Sequence, residues 1–177
     1  MRKFLIAFAV ASCVLTAGCA ATVKRPGGSA ESLAIPASAT STIYLLVQSE
    51  QHDQSEDWEL FRAEWRTALA KVASAAGRHF IHLDAMPAAF DEVGTLAVVD
   101  VNDYRYLSAG ARYGFGVMTG NAYIDADAVF YVVPGMEQAG SRKYATSSTA
   151  WQGIFSAMTS KQVEAIAGQM LQDIDSR

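Results

Sequence analysis

Ala122-Tyr123-Ile124-Asp125-Ala126-Asp127-Ala128-Val129-Phe130-Tyr131-Val132-Val133 is the stretch whose reading decides the fold. Side chains of an extended chain alternate between two faces. Here Ala122, Ile124, Ala126, Ala128, Phe130 and Val132 share one face. Tyr123, Asp125, Asp127 and Tyr131 share the other, with Val129 and Val133. One apolar and one half-polar face predicts a strand covered on a single side, as in an antiparallel sheet with helices on one face. Pro134-Gly135 predicts a turn, and Arg142 to Ser147 a returning strand.

Working towards the C terminus, Thr159-Ser160-Lys161-Gln162 has the capping-box pattern of a helix start. Val163, Ile166, Ala167, Met170, Leu171 and Ile174 then form an unbroken helical stripe. Towards the N terminus, Thr95 to Tyr106 is strand-like, and Ser108-Ala109-Gly110-Ala111 turns the chain. Ala85 to Glu92 is loop, and His79 to Asp84 a short strand. Trp58, Phe61, Trp65, Leu69 and Val72 recur at helical spacing after Ser55-Glu56-Asp57, and Gly77 supplies a stop. Ile43-Tyr44-Leu45-Leu46-Val47 reads as a buried strand. The pattern predicts an α+β domain over 42–177 in the order β-α-β-β-β-β-α, its sheet mainly antiparallel and its two amphipathic helices packed on one face.

Ahead of the domain, Ala20 to Ser41 is rich in Ala, Ser, Thr, Gly and Pro and predicts a flexible tether over 19–41. Residues 1–18 have the layout of an export signal. Arg2 and Lys3 are followed by an apolar run from Phe4 to Val14, too short for the roughly 20 residues that span a bilayer. Leu15-Thr16-Ala17-Gly18-Cys19 resembles the lipobox of bacterial lipoproteins. That resemblance implies cleavage before Cys19 and lipid on its thiol and amine. Ala20 after the anchor then favours the outer membrane, with the domain facing the periplasm. Val10-Ala11-Ser12-Cys13 is a second match, but it leaves a shorter apolar run.

The chain has 177 residues and a net charge of −4, which becomes −6 once Arg2 and Lys3 are removed. An acidic domain with scattered cations lacks the basic footprint of nucleic-acid binding. Cys13 and Cys19 are its two cysteines. With one removed and one acylated, the folded domain has neither thiol catalysis nor a Cys-based metal site.

Other chemistry is thinly represented. His79, His82 and Asp84 are the one local group of metal-capable side chains, but His82 and Asp84 share a strand face while His79 points away, short of a converging ligand set. Gly114-Phe115-Gly116 hints at a dinucleotide loop, but Thr119 stands where the third glycine belongs and a strand follows. Asp125 and Asp127 share a strand face, as paired acids do in glycosidases and on ordinary solvated strands. Ser147-Ser148-Thr149 is hydroxyl-rich without a linked histidine. No cofactor and no metal is expected, and the chain is not read as an enzyme.

The densest interface-like group surrounds the glycine-rich turn. Tyr106, Arg112, Tyr113 and Phe115 are the residue types that anchor protein interfaces. They form the candidate protein-binding set. Arg112-Tyr113-Gly114-Phe115-Gly116, then an alternating strand, a Gly-containing turn and a terminal Ala-rich helix, resembles small envelope lipoproteins of the CsgG- and LpoB-type group, which share the fold of the TolB N-terminal domain. The resemblance implies periplasmic adaptor or assembly roles. The expected function is a lipid-anchored binding or adaptor protein of the cell envelope with a protein partner. The alternative is a periplasmic enzyme or small-ligand carrier.

Overall fold

A computed structural model describes residues 23–24, 32–52, 55, 57–106, 122–147 and 158–176. Six strands form one sheet: β1 (Val23–Lys24), β2 (Thr42–Gln48), β3 (His79–Leu83), β4 (Gly94–Arg105), β5 (Tyr123–Val133) and β6 (Glu137–Ser147). Among the described residues two α-helices accompany it, α1 (Trp58–Ala75) and α2 (Met158–Asp175). The sheet order is β1-β6-β5-β4-β2-β3. The β1–β6, β6–β5 and β5–β4 pairings are antiparallel, while β2 pairs in parallel with both β4 and β3. The architecture is α+β with a mixed, mainly antiparallel sheet. The β2–β3 pairing is parallel because the α1 crossover returns the chain to the level where β2 began, and β4 is parallel to β2 because the 84–93 segment returns it again.

The expected alternation decides the layers. Ile124, Ala126, Ala128 and Phe130 of β5 lie in one core with Ile43, Leu45 and Val47 of β2 and Ala97, Val99 and Val101 of β4. Phe61, Trp65 and Leu69 of α1 and Val163, Ile166, Ala167 and Met170 of α2 complete it, so both helices cover the same sheet face. Small alanines on the strands leave room for the large helical side chains. Lys71 Nζ on α1 meets Glu164 Oε1 on α2 at 2.7 Å. Tyr144 of β6 donates its hydroxyl to Asp173 of α2 at 2.7 Å in a buried setting.

Several local expectations change. The first helix does start after Asp57, but that carboxylate makes no cap bond to the helix and accepts the Tyr104 hydroxyl instead. At the other end Gly77 takes φ 68°, and Gly77 N–H and Arg78 N–H donate to Ser74 and Ala73 carbonyls, a Schellman arrangement. Thr159 and Gln162 of the expected capping box both lie in the first turns of α2. The helix begins at Met158, both side chains are buried, and Gln162 Nε2 donates to the Ala122 carbonyl at 2.9 Å. The returning strand starts at Glu137, not Arg142, with a register shift opposite Phe130/Tyr131.

The largest difference concerns the expected tether. Val23 and Lys24 pair with Thr146 and Ala145 on the outer edge of β6. Leu33, Ile35 and Ala39 are buried in the main core, and Thr95 donates its hydroxyl to the Ala39 carbonyl at 2.8 Å. The Ala34 N–H donates to the Ala139 carbonyl at 2.9 Å. The described parts of 19–41 are therefore docked on the domain, because three apolar side chains find a place at the edge of the core. Residues 1–22, including the expected leader and Cys19, lie outside the described residues.

Candidate functional site

The strand ends define two ends of the molecule. Arg105, Tyr123 and Ser147 are paired at one end, and Gly94 and Val133 at the other. They are called the upper and lower ends below.

At the upper end the segment after β2 folds against β4. Ser49 Oγ donates to the Val101 carbonyl at 2.7 Å and accepts the His52 N–H at 3.2 Å. Tyr104 donates to Asp57 Oδ1 at 2.7 Å and lies 2.8 Å from Ser55 Oγ. Its ring stacks on Phe61 with centroids 4.1 Å apart, and His52 meets it edge-on at 5.1 Å. Burial, with Asp57 beside it, pushes the Tyr104 hydroxyl up to about 12. A phenol held protonated in this way is no general base near neutral pH. Ser55 Oγ donates to the His52 main-chain oxygen at 2.8 Å, and no hydrogen bond among the described residues joins it to the imidazole. The cluster holds Ser49, His52, Ser55 and Asp57 against β4, with no nucleophile–base pair among the described residues.

Of the candidate binding set, Tyr106 is the member within the described residues. It is half-buried and packs against the main core rather than standing free. Burial raises its pKa, with Glu64 and Asp57 adding to the effect. Arg112, Tyr113 and Phe115 lie outside the described residues, as do the glycine-rich segment 107–121 and residues 148–157.

The face of β4, β5 and β6 that the helices leave uncovered carries the acids. Asp125 pairs with Lys143 Nζ at 3.2 Å, and Asn102 donates to Asp127 at 2.6 Å. Asp100 sits opposite Asp127, and burial, then Glu50 and Asp127, raise its pKa. His79 and His82 are on opposite faces, as the strand period requires. His79 Nδ1 lies 3.5 Å from Glu92, and His82 Nε2 lies 3.3 Å from Asp84. His82 is not solvent-facing: its side chain is 13% exposed, beside Arg62 and Asp84 where β3 packs along α1. No group of three or more His, Cys, Asp or Glu side chains able to hold a metal is found among the described residues.

At the lower end lies a surface that sequence reasoning passed over as loop and turn. Met86, Pro87, Ala88, Ala89 and Phe90 face Pro134 and Met136 across a groove of about 250 Å³. Phe90 is held from beneath by Tyr44, ring centroids 5.1 Å apart, within a small second cluster of Leu46, Leu96 and Val133. Met86 and Met136 remain 47% and 40% exposed, and Val93 nearby in sequence is 48% exposed. Every side chain lining the groove is apolar. The available signal was the unbroken apolar run Met86 to Phe90 within a loop.

No protein-family model matches the sequence, and no curated protein matches it. Among solved structures the chain is similar to the PelC dodecamer of Paraburkholderia phytofirmans, with 13% identity and a TM-score of 0.51 over 88% of this chain and 98% of that one. A variant of the same dodecamer gives 11% identity and a TM-score of 0.48 over 88% and 98%. A DUF330 protein from Xanthomonas campestris gives 10% identity and a TM-score of 0.46 over 86% and 93%. The PelC likeness at a TM-score of 0.51 is one of fold.

Proposed function

We propose that this chain is a lipid-anchored binding or adaptor protein of the bacterial cell envelope, attached through Cys19 to the outer membrane with its domain in the periplasm. It is not an enzyme in this reading. The observation that carries it is the lower groove: seven apolar side chains, Met86 to Phe90 with Pro134 and Met136, open to solvent with no titratable group among them. Methionine and aromatic side chains are enriched at the cores of protein interfaces. The groove falls below the roughly 300–1,000 Å³ of typical small-molecule sites and has no polar side chain to orient a ligand. A partner's apolar side chain suits it better than a substrate. Self-association belongs to the same reading, supported by the dodecameric state of PelC, whose fold is similar. The likeness to the CsgG- and LpoB-type group points the same way.

The test is Met136→Ser in the full-length, membrane-anchored protein. Exposed substitutions usually change stability by no more than about 0.5 kcal/mol. Anchor residues cost about 1–2 kcal/mol of binding or more. The melt should therefore be unchanged, while crosslinked capture of partner, or of a second copy, should fall. Undiminished capture by a normally folded variant would refute the groove as the contact surface.

A further inference from the structure

The place where the chain enters the sheet assigns an orientation to the domain. Val23 pairs with Thr146 and Lys24 with Ala145, next to the end of β6 at Ser147. Ser147 is paired with Tyr123, and Tyr123 with Arg105. The first described residues thus pair with the upper end of β6, on its outer edge. Lower down, Ala34 bonds to Ala139 and Leu33 lies against Gly140. Between Cys19 and Val23 there are three residues, Ala20, Ala21 and Thr22. Four residue steps reach about 14 Å when fully extended. The lower end is much farther away. β5 runs the length of the sheet in 11 residues, roughly 33 Å at the usual rise per residue.

We propose that the domain stands end-on to a lipid surface, with the Arg105–Tyr123–Ser147 end towards the bilayer and the Met86–Met136 groove facing away. This rests on the reading of Cys19 as the lipid-bearing residue. The orientation comes from chain length and register, not from charge. Lys24 and Arg105 are exposed at that end, but so are Glu50 and Asp103. A flexible 22-residue tether would permit every orientation. A four-step reach ending in a paired strand holds Val23, at the upper end of β6, within about 14 Å of the lipid. The groove is then presented to the aqueous side, where a protein partner or a neighbouring copy can reach it.

The experiment uses the full-length lipidated protein in phosphatidylcholine vesicles that contain a nitroxide-headgroup lipid. Two single-cysteine variants, Ser147→Cys and Glu137→Cys, place one fluorophore at each end of the exposed outer strand. Fatty acid on Cys19 is measured by mass spectrometry on the same samples. The fluorophore at Ser147→Cys should be quenched several-fold more than the one at Glu137→Cys. Inserting about 20 Gly/Ser residues between Ala21 and Thr22, which adds roughly 25 Å of reach, should remove that difference. Equal or reversed quenching in lipidated protein overturns the orientation and leaves the anchor reading intact. A difference that survives the insertion also overturns it, because something other than the short reach would then be orienting the domain. Cys19 without fatty acid overturns the anchor reading, and the orientation falls with it.

Discussion

Among the described residues, one face of the sheet is covered by two helices and the other carries the 84–93 loop. On the covered face, side chains from β2, β4, β5, α1 and α2 join one continuous core. On the open face the buried apolar side chains among the described residues are Tyr44, Leu46, Leu96 and Val133 beneath Phe90, and beyond them the strands carry Asp100, Asp125, Asp127 and Lys143. Both faces belong to the same strands and differ by one residue of register. The covered face supplies stability. The open face and its loop leave apolar surface available for contact. A substitution should therefore be read first by which face it alters.

The sharpest break of this contrast is Ile166→Asp on α2. Ile166 is fully buried in the main core, and an unpaired charge there should unfold the domain, with a loss of about 4 kcal/mol or more. A thermal melt within a degree or two of wild type would show that α2 does not hold the covered face. Next in size is Gly140→Ala at the edge of that face. Gly140 has φ 144°, and a Cβ there would lie 2.8 Å from Leu33 Cδ2. The leucine methyl can shift, but the backbone cannot, so a loss of about 1–3 kcal/mol is expected in chemical denaturation. Wild-type stability would mean that Gly140 does not hold this positive φ in the folded strand.

A smaller effect should appear with pH. Burial lowers the His82 pKa below its usual 6.5, against the opposing pull of Asp84 and with Arg62 and Arg66 nearby. A histidine whose folded pKa is depressed binds its proton more readily when unfolded. Stability is then present above pH 6.5 and declines as pH falls towards the folded value. His82→Asn should flatten that acid-side decline, read as a smaller difference in Tm between neutral and mildly acidic buffer. An unchanged slope would assign the decline to other groups. The smallest effect belongs to the open face. Lys143 pairs with Asp125 at 3.2 Å while both side chains stay partly exposed, and Lys143→Ala should cost no more than about 1 kcal/mol. A larger loss would mean that the acids of the open face depend on this cation.

The alternation of 122–133 was legible because a period of two needs no long-range information, and the burial of β5 follows it as far as Phe130; beyond the register shift there Val132 is half-exposed and Val133 buried. The α1 stripe was legible for the same reason at helical spacing. The start of β6 was hidden, because Glu137 and Gln138 look like turn and Gly140 requires a positive φ inside a strand. Residues 32–39 were hidden by composition: Ser, Ala and Pro suggest a loose chain, yet Leu33, Ile35 and Ala39 are enough to dock it. The groove could not be read locally. Its walls, Met86–Phe90 and Pro134–Met136, meet because one loop and one hairpin turn share the lower end of the sheet. The sequence drew attention instead to Tyr106, whose ring is partly committed to the core.

The two-residue strand β1 also has a mechanical consequence. It lies antiparallel along the edge of β6, and antiparallel ladder bonds run perpendicular to the strands. A pull transmitted through the chain ahead of Val23, directed along the strand, loads both residue pairs together in shear. It does not unzip them one after the other. Behind them the load meets Leu33 against Gly140 and then Ile35 and Ala39 in the core. Drag on the domain is thus borne at the sheet edge, and the Tyr44–Phe90 floor of the groove stays off the load path.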